Sequence, residues 1–491
     1  MPSQDYLKAE RAASWREEIR KTIRNKERTQ FNRVEMNSLD PEERSRNYEE
    51  VNLGLTAEQA IAEAQRCLDC ANPTCITGCP VEINIPKFIK NIERNEFLEA
   101  AKTLKETSAL PAVCGRVCPQ ERQCESKCFY VQKLNKPAVA IGHLERFAAD
   151  YERESGNLTI PEVMPANNIK VAVIGSGPSG LSFAGDMVKR GYDVTVFEAL
   201  HELGGVLRYG IPEFRLPNNI VDAEIDVLAK MGVKFMTNCI IGKTISHEDL
   251  LADGFKGIFV ASGAGLPHFM HIPGENLNGV MSCNEYLTRI NLMDAANPES
   301  DTPVHMGKKV AVIGGGNTAM DAVRTARRLG AERAMIVYRR SEEEMPARLE
   351  EVQHAKEEGI EFYTLHNPLK YEGDERGRVQ RMLLQRMELG EADASGRRRP
   401  LAVEGETVWV DVDQVIVSVG VSPNPLIPST FPGLEITDWG TIVVNSETMQ
   451  SAQSEIYAGG DIVRGGATVI LAMGDGRKAA QGMSDALSNN R

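Results

Sequence analysis

Residues 169–199, IKVAVIGSGPSGLSFAGDMVKRGYDVTVFEA, contain the pattern that best indicates the fold. In it a short β-branched run, a glycine-rich turn, an amphipathic helix and a second β-branched run follow one another. This order is the signature of a βαβ unit in a parallel sheet. A second segment of the same kind, KKVAVIGGGNTAMDAVRTARRLGAERAMIVYRR, occupies residues 308–340. The internal repeat predicts two dinucleotide-binding folds on one chain.

The first repeat carries a candidate phosphate cradle between its first strand and its helix. The cradle residues are Gly175, Gly177, Pro178, Ser179 and Gly180. Glycines at these positions permit a tight turn, close approach of the backbone to a pyrophosphate, and contact between helix and strand. The next strand ends in Glu198, where a carboxylate accepts hydrogen bonds from ribose hydroxyls. The combination predicts a dinucleotide site, with a purely structural glycine turn as the alternative.

The second repeat carries a similar cradle, but its second strand ends differently. The cradle residues are Gly314, Gly315, Gly316, Asn317, Thr318 and Ala319. The strand that follows ends in Arg339 and Arg340, and guanidinium groups bind a 2′-phosphate that a carboxylate would repel. The site is therefore predicted to prefer NADPH to NADH, with solvated charges at a strand end as the alternative. Arg348 is a second candidate, although the capping box at 341–344 could instead place it on a solvated helix face.

Eight of the ten cysteines lie in a short segment rich in helix-forming residues. The first group is spaced C-x2-C-x4-C-x3-C-P and consists of Cys67, Cys70, Cys75 and Cys79. The second group consists of Cys114, Cys118, Cys124 and Cys128. The first spacing is close to the bacterial ferredoxin run, in which the fourth cysteine ligates the other of two clusters. Structural zinc usually takes paired CxxC knuckles, so iron–sulfur is predicted in a small helical domain and zinc is the alternative.

Composition sets the broad class of the protein. The chain has 491 residues, a formal net charge of −13 and 42% hydrophobic residues, which fits a globular protein of roughly three domains. The acidic balance argues against nucleic acid as a partner, and the tract at 397–399 is interpreted as a solvated turn. No run of about 18 apolar residues indicates a membrane span. The first residues resemble neither a secretory signal nor a transit peptide, so a cytoplasmic location is predicted.

Two further segments resemble the flavoprotein disulfide-reductase superfamily. They are GGVLRYGIPEFRLP, which begins at Gly204 and Gly205, and EIYAGGDIVRGGATVILAMGDGRKAAQGM, which contains Gly460 and Asp461. The resemblance implies FAD at the first cradle, with Asp461 beside the ribityl chain, and NADPH at the second. It also implies that the chain leaves the FAD domain and returns to it. The redox-active CxxC of a disulfide reductase is missing from these domains, and Cys239 and Cys283 are predicted to be buried free thiols.

The motifs RCLDC, GCPVEINIP, GRVCP and IGHLERF, followed by a linker and GSGPSG, resemble a more specific family. This family comprises the small (β) subunit of bacterial glutamate synthase and its close relatives. The relatives are the large subunit of NADH-dependent reduced ferredoxin:NADP oxidoreductase and the N-terminal half of dihydropyrimidine dehydrogenase. The resemblance runs from about residue 66 to the end of the sequence.

This resemblance implies two [4Fe–4S] clusters with crossed ligation. One cluster would be held by Cys67, Cys70, Cys75 and Cys128. The other would be held by Cys79, Cys118 and Cys124. Its fourth ligand is left open between Glu145 of HLERF and Cys114.

The predicted fold class is α/β, with two Rossmann-like dinucleotide-binding domains of the disulfide-reductase type after an α-helical iron–sulfur domain. The predicted boundaries are 1–150 for the helical domain, 151–168 for a linker, 169–305 and 426–491 for the FAD domain, and 306–425 for the NADPH domain.

The predicted function is that of the small subunit of glutamate synthase, an NADPH-dependent oxidoreductase in a hetero-oligomer. Electrons would pass from NADPH through FAD and the clusters to the large subunit for glutamate synthesis. FAD is needed as a converter, because NADPH delivers two electrons at once and a cluster accepts one at a time. No acid–base residue is required for the hydride step, so none is predicted. The alternatives are the large subunit of a bifurcating ferredoxin:NADP oxidoreductase, paired with a smaller flavin subunit, and an assembly subunit whose clusters are structural.

Overall fold

The computed structural model describes residues 3–392 and 396–489, and its first part is helical. The helices of this part are α1 (Gln4–Arg11), α2 (Ser14–Thr22), α3 (Asn25–Arg28), α4 (Pro41–Arg44), α5 (Ala57–Ala64), α6 (Thr74–Thr77), α7 (Ile85–Glu93), α8 (Phe97–Lys105), α9 (Pro111–Val117) and α10 (Ile141–Glu154). Two short strands, β1 (Asn37–Ser38) and β2 (Asn52–Gly54), pair antiparallel among them. α5 begins at a capping box between Thr56 and Gln59.

The last of these helices passes the predicted end of the helical domain. α10 continues to Glu154, whereas the boundary was predicted at residue 150. The residues Tyr151 to Glu154 continue the helix because nothing in YERE breaks it. Residues 157–169 then have neither helix nor strand, so the linker begins later than predicted.

The rest of the chain alternates strands and helices. The strands are β3 (Lys170–Ile174), β4 (Asp193–Phe197), β5 (Lys234–Met236), β6 (Phe255–Val260), β7 (Leu266–Pro267), β8 (Val280–Ser282), β9 (Lys309–Ile313), β10 (Arg333–Tyr338), β11 (Glu361–Thr364), β12 (His366–Gly373), β13 (Val379–Ala392), β14 (Arg398–Asp411), β15 (Gln414–Val417), β16 (Val421–Ser422) and β17 (Ile456–Ala458). The helices are α11 (Pro178–Lys189), α12 (Val206–Tyr209), α13 (Asn218–Met231), α14 (His247–Ala252), α15 (Cys283–Asn291), α16 (Asn317–Arg328), α17 (Leu349–Glu357), α18 (Leu426–Thr430), α19 (Asp461–Arg464) and α20 (Val469–Asn489).

The first parallel sheet has the strand order β17-β6-β3-β4-β5. β3 and β4 are the strands of the first repeat, and α11 connects them. Their VAVI and VTVF residues are buried throughout, as is typical of a parallel sheet covered on both faces. β17 comes from the C-terminal segment and pairs with β6 at the edge of the sheet. The chain therefore leaves this sheet and later returns to it.

The second parallel sheet has the strand order β11-β10-β9-β15-β8 and contains the second repeat in β9 and β10. β8 pairs with β15, so the predicted boundary between residues 305 and 306 is wrong: the second unit already includes β8 and α15. A strand of three residues shows too little periodicity to be assigned from sequence. β8 belongs to the second sheet because it pairs with β15, which is distant in the sequence.

A three-stranded antiparallel sheet, β12-β13-β14, is inserted before β15. β13 and β14 form a long hairpin, in which Arg398 pairs with Ala392. Arg398 and Arg399 thus begin a strand, and the interpretation of the tract at 397–399 as a solvated turn is wrong for these two residues. Cross-strand pairing in a hairpin holds them extended, although their side chains remain exposed.

α20 joins the helical part to the first sheet. Buried apolar side chains of the helical part, α11 and α20 form one continuous core. Gly476 of α20 allows this helix to pack closely on α11, because a Cβ at this position would lie 2.3 Å from the carbonyl oxygen of Ser179. The second sheet has separate apolar clusters on its two faces. The predicted α/β class with a preceding helical domain is confirmed, and none of the described helices is long and apolar enough to cross a membrane.

Candidate functional site

The first cradle leaves open space where a pyrophosphate would bind. Gly175 has φ +103°, and a Cβ on it would lie 2.5 Å from the carbonyl oxygen of Ala261. A Cβ on Gly180 would lie 2.0 Å from the carbonyl oxygen of Gly175. At Gly177, by contrast, an added Cβ would meet no atom within 4 Å. Two glycines thus make the turn compact, and the third borders free space at the start of α11, where backbone N–H groups favour an anion.

Glu198 is fixed beside this cradle. Its side chain is buried and accepts hydrogen bonds from the backbone N of Ser176 at 2.9 Å and from the Ser176 hydroxyl at 2.6 Å. The backbone N of Leu200 donates to its other carboxylate oxygen at 2.9 Å. A carboxylate has about four acceptor sites, so capacity remains for a ribose hydroxyl. Ser176 was not singled out in the sequence because it lies inside the cradle without being a glycine.

The segments that resemble the disulfide reductases meet at the same place. The backbone N of Gly204 donates to the Ser176 hydroxyl at 3.0 Å, and Gly205 lies against Gly177. Burial raises the pKa of Asp461 to about 6, and the backbone N of Ala467 donates to this carboxylate. Residues from three distant parts of the chain therefore surround one space.

Tyr209 belongs to this site and was missed in the sequence. Burial raises the pKa of Tyr209 to about 12, and the charges of Asp461 and Glu198 add to the effect. Tyr209 ends α12, which begins directly after Gly205, the residue that lies against Gly177 of the cradle. Its only sequence signal was its place in GGVLRYG, which does not show where the side chain lies.

The second cradle repeats the design of the first. A Cβ on Gly314, at φ +145°, would lie 2.2 Å from the carbonyl oxygen of Ser418, and one on Gly315 would lie 2.8 Å from the Tyr338 ring. At Gly316 an added Cβ would meet nothing within 4 Å. The open position again adjoins the start of a helix, α16. This geometry fits a second dinucleotide.

The three arginines predicted near this cradle have different surroundings. Arg339 is exposed at the end of β10. Arg340 is buried, and its Nε donates to the backbone oxygen of Arg398 at 2.8 Å.

Arg348 lies at a contact with the helical part. Its backbone N donates to Asn317 at 2.8 Å, while its buried guanidinium donates to the backbone oxygen of Arg116, to Gln120 and to Glu350. These partners occupy the guanidinium, which speaks against the prediction that Arg348 binds the 2′-phosphate. The helix periodicity of the sequence could not show that this side chain bridges two domains.

The cysteines fall into two spatial groups. The first group, which we call the outer cysteines, lines one mostly apolar cavity and consists of Cys67, Cys70, Cys75 and Cys128. Cys70 and Cys75 are partly exposed, and Phe129 at the rim of the cavity is 41% exposed. Thiolate ligands in an apolar cavity that reaches the surface suit an iron–sulfur cluster.

The second group, the inner cysteines, is buried around Glu145. It consists of Cys79, Cys114, Cys118 and Cys124. A hydrogen bond with Cys114 lowers the pKa of Cys118, but burial and the nearby acidic groups Glu145, Cys124 and Cys79 raise it above its usual value. The backbone brings the same residues together, because Gly78, before Cys79, lies against Cys124, and Gly115, after Cys114, lies against Arg146, which follows Glu145.

Glu145 and Cys114 differ in the contacts that neighbouring residues make with their polar side-chain atoms. Glu145 is 6% exposed, and its Oε1 atom has no hydrogen-bond partner among the described residues. Burial raises the pKa of Glu145 to about 8. The Cys114 sulfur lies 3.5 Å from the Met473 sulfur and 3.9 Å from the Ser108 hydroxyl. A buried oxygen without a hydrogen-bond partner is unusual in a folded protein. Glu145 is therefore a better-supported candidate than Cys114 for a ligand of an iron–sulfur cluster.

The inner cysteines adjoin α20, which also contacts the helix of the first cradle. Pro80, which follows Cys79, packs on Gly474 of α20, and Cys114 contacts Met473 one residue earlier. The backbone oxygen of Met473 accepts a hydrogen bond from Ser182 of α11 at 2.9 Å. One turn of α20 thus contacts both the inner cysteines and the helix of the first cradle. Sequence reasoning missed this contact, which carries no motif.

The cysteines of the described residues are free thiols. Cys239 and Cys283 are buried, as predicted. No three His, Cys, Asp or Glu side chains in the ranges 3–392 and 396–489 converge as they would around a single metal ion.

Two family models match the chain. Residues 44–157 match dihydropyrimidine dehydrogenase domain II, 4Fe-4S cluster. Residues 168–476 match pyridine nucleotide-disulphide oxidoreductase. The two matches follow the helical and the α/β part of the structure.

Similar proteins cover most of the chain. The glutamate synthase [NADPH] small chain of Azospirillum brasilense is 36% identical over 447 residues, covering 90% of this chain and 92% of the relative. The glutamate synthase [NADPH] small chain of Escherichia coli K12 is 37% identical over 431 residues, covering 87% and 91%. Among solved structures, Mycobacterium tuberculosis FprA in complex with NADPH has a TM-score of 0.56 at 20% identity, covering 66% of this chain and 85% of FprA. The last likeness supports the fold alone.

Proposed function

Since the chain belongs to the family of the glutamate synthase [NADPH] small chains, we propose that it passes electrons from NADPH through FAD and iron–sulfur clusters to a larger subunit that makes glutamate from glutamine and 2-oxoglutarate. It is an NADPH-dependent oxidoreductase with a 4Fe-4S domain. The observation that carries the proposal is the packing of Pro80 on Gly474, because it sets the inner cysteines beside the flavin domain.

The first cradle is the proposed FAD site. The free space at Gly177 and the start of α11 would receive the pyrophosphate, Glu198 the ribose, and Asp461 the ribityl chain. When bound, FAD accepts the hydride of NADPH and releases single electrons, which iron–sulfur clusters carry. The residues of this chain bind and orient the cofactors, and no acid or base is needed for the transfer.

The second cradle is the proposed NADPH site. Gly316 borders the space for the pyrophosphate at the start of α16. Arg339 at the end of β10 is the proposed partner of the 2′-phosphate, because its guanidinium is exposed there. The prediction that Arg340 contacts the phosphate directly has less support, since this side chain is buried under β14.

Two [4Fe–4S] clusters are proposed, one for each group of cysteines. The outer cysteines would hold the first. The second would be held by Cys79, Cys118, Cys124 and Glu145, because the Oε1 atom of Glu145 has no hydrogen-bond partner in the described part of the chain whereas Cys114 contacts Met473. Replacing Glu145 with alanine should then remove one cluster signal from the EPR spectrum, and replacing Cys114 with serine should leave both. The opposite result would assign Cys114 as the ligand.

The proposed order of transfer follows from the positions of the two groups. The inner cysteines adjoin α20, and the outer cysteines line a cavity that reaches the surface near Phe129. The outer cysteines would therefore face the partner subunit. The large glutamate synthase subunit is the proposed partner, because both relatives named above are small chains of that enzyme. A ferredoxin-linked flavin subunit remains the alternative, and the cytoplasmic location stays a prediction.

The proposal is tested with anaerobically purified protein. We expect FAD, iron and acid-labile sulfide in the preparation and NADPH-driven reduction of an artificial dye. Addition of the large subunit should give glutamate from glutamine and 2-oxoglutarate at the expense of NADPH. A fully loaded protein that reduces no dye would support purely structural clusters, and stoichiometric zinc without sulfide would contradict the cluster assignment.

A further inference from the structure

An acidic loop directly follows the arginines of the second cradle. Glu342, Glu343 and Glu344 come immediately after Arg339, Arg340 and Ser341. A 2′-phosphate carries up to two negative charges, and carboxylates nearby repel it unless cations compensate them. With three acids against two arginines, the loop by itself is a poor site for this phosphate.

Cations from two other elements pair with these acids. Arg398, at the start of β14, donates from its Nε to Glu344 at 2.9 Å and from its backbone N to the same oxygen at 3.3 Å. A second guanidinium nitrogen of Arg398 lies 3.8 Å from Glu343. Lys356 of α17 pairs with Glu342. Each acid of the loop thus has a cationic neighbour that is distant in sequence.

The same hairpin also covers Arg340. The backbone oxygen of Arg398 accepts a hydrogen bond from Arg340, whose side chain is buried. Arg339 remains exposed, and its side chain makes no hydrogen bond or ion pair within the described ranges. Arg339 is therefore the guanidinium that is left for an external anion, and Arg398 and Lys356 together compensate two of the three negative charges of the loop beside it.

We propose that Arg398 is a positioning and specificity residue for the 2′-phosphate of NADPH: by pairing with Glu343 and Glu344 it removes the repulsion that would oppose phosphate binding at Arg339. The inference rests on the proposed use of NADPH at the second cradle. The competing explanation is that the ion pair only pins the hairpin to the loop. The Arg398 side chain is 46% exposed in both pairs, so solvent weakens their contribution to the stability of the fold. The two explanations therefore differ mainly in whether the affinity depends on the charge of the nucleotide.

The test uses the full chain loaded with its cofactors and two nucleotide probes. Adenosine 2′,5′-bisphosphate carries the 2′-phosphate, and adenosine 5′-monophosphate lacks it. Arg398→Gln should raise the Kd of the bisphosphate roughly 1.5-fold to fivefold, which corresponds to the loss of a surface charge interaction, and leave the Kd of the monophosphate unchanged. In dye reduction it should raise KM for NADPH with little change in kcat and leave KM for NADH as it is.

Matched variants separate charge from structure. Arg398→Lys keeps the charge and should restore most of the affinity. The double variant Arg398→Gln with Glu344→Gln removes the acid that Arg398→Gln alone would leave uncompensated, and it should also restore the affinity for the bisphosphate. If the ion pair only holds the hairpin in place, the double variant should not restore this affinity. Arg399→Gln changes the next residue of the strand, on its opposite face, and should have a smaller effect.

Failure of the proposed NADPH specificity can be distinguished from failure of the inference about Arg398. If the unmodified protein binds both probes equally and uses NADH as well as NADPH, the proposed NADPH specificity itself fails. If the unmodified protein prefers NADPH but Arg398→Gln changes both probes alike, or neither, only the inference about Arg398 fails.

Discussion

Replacement of Gly474 with valine tests the contact between the cysteine-rich segment and the flavin domain. A Cβ at this position would lie 2.9 Å from the Cβ of Pro80 and 3.1 Å from its carbonyl oxygen. Non-bonded carbon atoms normally approach to about 3.5–4.0 Å, so the two segments would have to separate by roughly 0.6–1.1 Å. Pro80 follows Cys79, and the separation would therefore displace a proposed cluster ligand.

We expect the Gly474→Val protein to fold, with a loss of about 1–3 kcal/mol from overpacking. NADPH should reduce its flavin at the normal rate, because neither cradle changes. Passage of electrons to the clusters should slow, because displacement of Cys79 would lengthen the path between the flavin and the cluster that this residue would hold. Stopped-flow absorbance follows the flavin, and rapid-freeze EPR follows the clusters.

Gly466→Ala is the matched control. An added Cβ there would only touch a methyl group of Val421 at 3.6 Å, which is an ordinary contact. Normal cluster reduction in the valine variant, at full FAD and iron content, would contradict this prediction, because the Gly474 contact would then not connect the two sites.

Further predictions concern the cradle and the buried charges. Gly177→Val should weaken FAD binding without destabilising the apoprotein, because its Cβ would meet no atom within 4 Å. Gly180→Ala should destabilise the apoprotein itself, because its Cβ would lie 2.0 Å from a backbone oxygen. Calorimetry of the apoprotein and measurement of flavin release distinguish the two effects. Arg215→Met should cost about 3–5 kcal/mol in urea unfolding, because it leaves buried Asp321 unpaired, and adding Asp321→Leu should recover much of this loss. Burial favours a raised pKa for Glu358, but its arginine partners outweigh it and lower the pKa to about 2. The stabilisation from Glu358 should therefore be complete above about pH 4.5 and disappear as the pH falls towards 2, and Glu358→Gln should abolish this dependence in acid unfolding curves.

The cradles were predictable because their requirements are local. Gly175 and Gly314 adopt positive φ angles, and the open space at Gly177 and Gly316 follows from the turn between strand and helix. The same holds for Glu198, which ends the strand after the first cradle. Residues that depend on packing were not predictable: Tyr209 reaches the first site, and Arg348 is drawn into a contact with the helical part.

The domain boundaries illustrate the same limit. The boundary predicted between residues 305 and 306 leaves β8 in the first unit, but this strand pairs with β15 of the second sheet. A short half-buried strand carries no signal that distinguishes one sheet from the other. The family resemblance, by contrast, was confirmed, because it depends on many motifs in a fixed order and not on any single contact.

The two βαβ units, the glycine positions of both cradles and the family could be predicted from the amino-acid sequence alone, since backbone geometry and motif order are properties of short segments. Folding of the whole chain was needed to show that Pro80 packs on Gly474, that Arg398 pairs with Glu344, and that a buried oxygen of Glu145 has no partner among the described residues. These contacts join residues that are far apart along the chain. Their free energy depends on distance and burial, which arise only when the separate segments pack together.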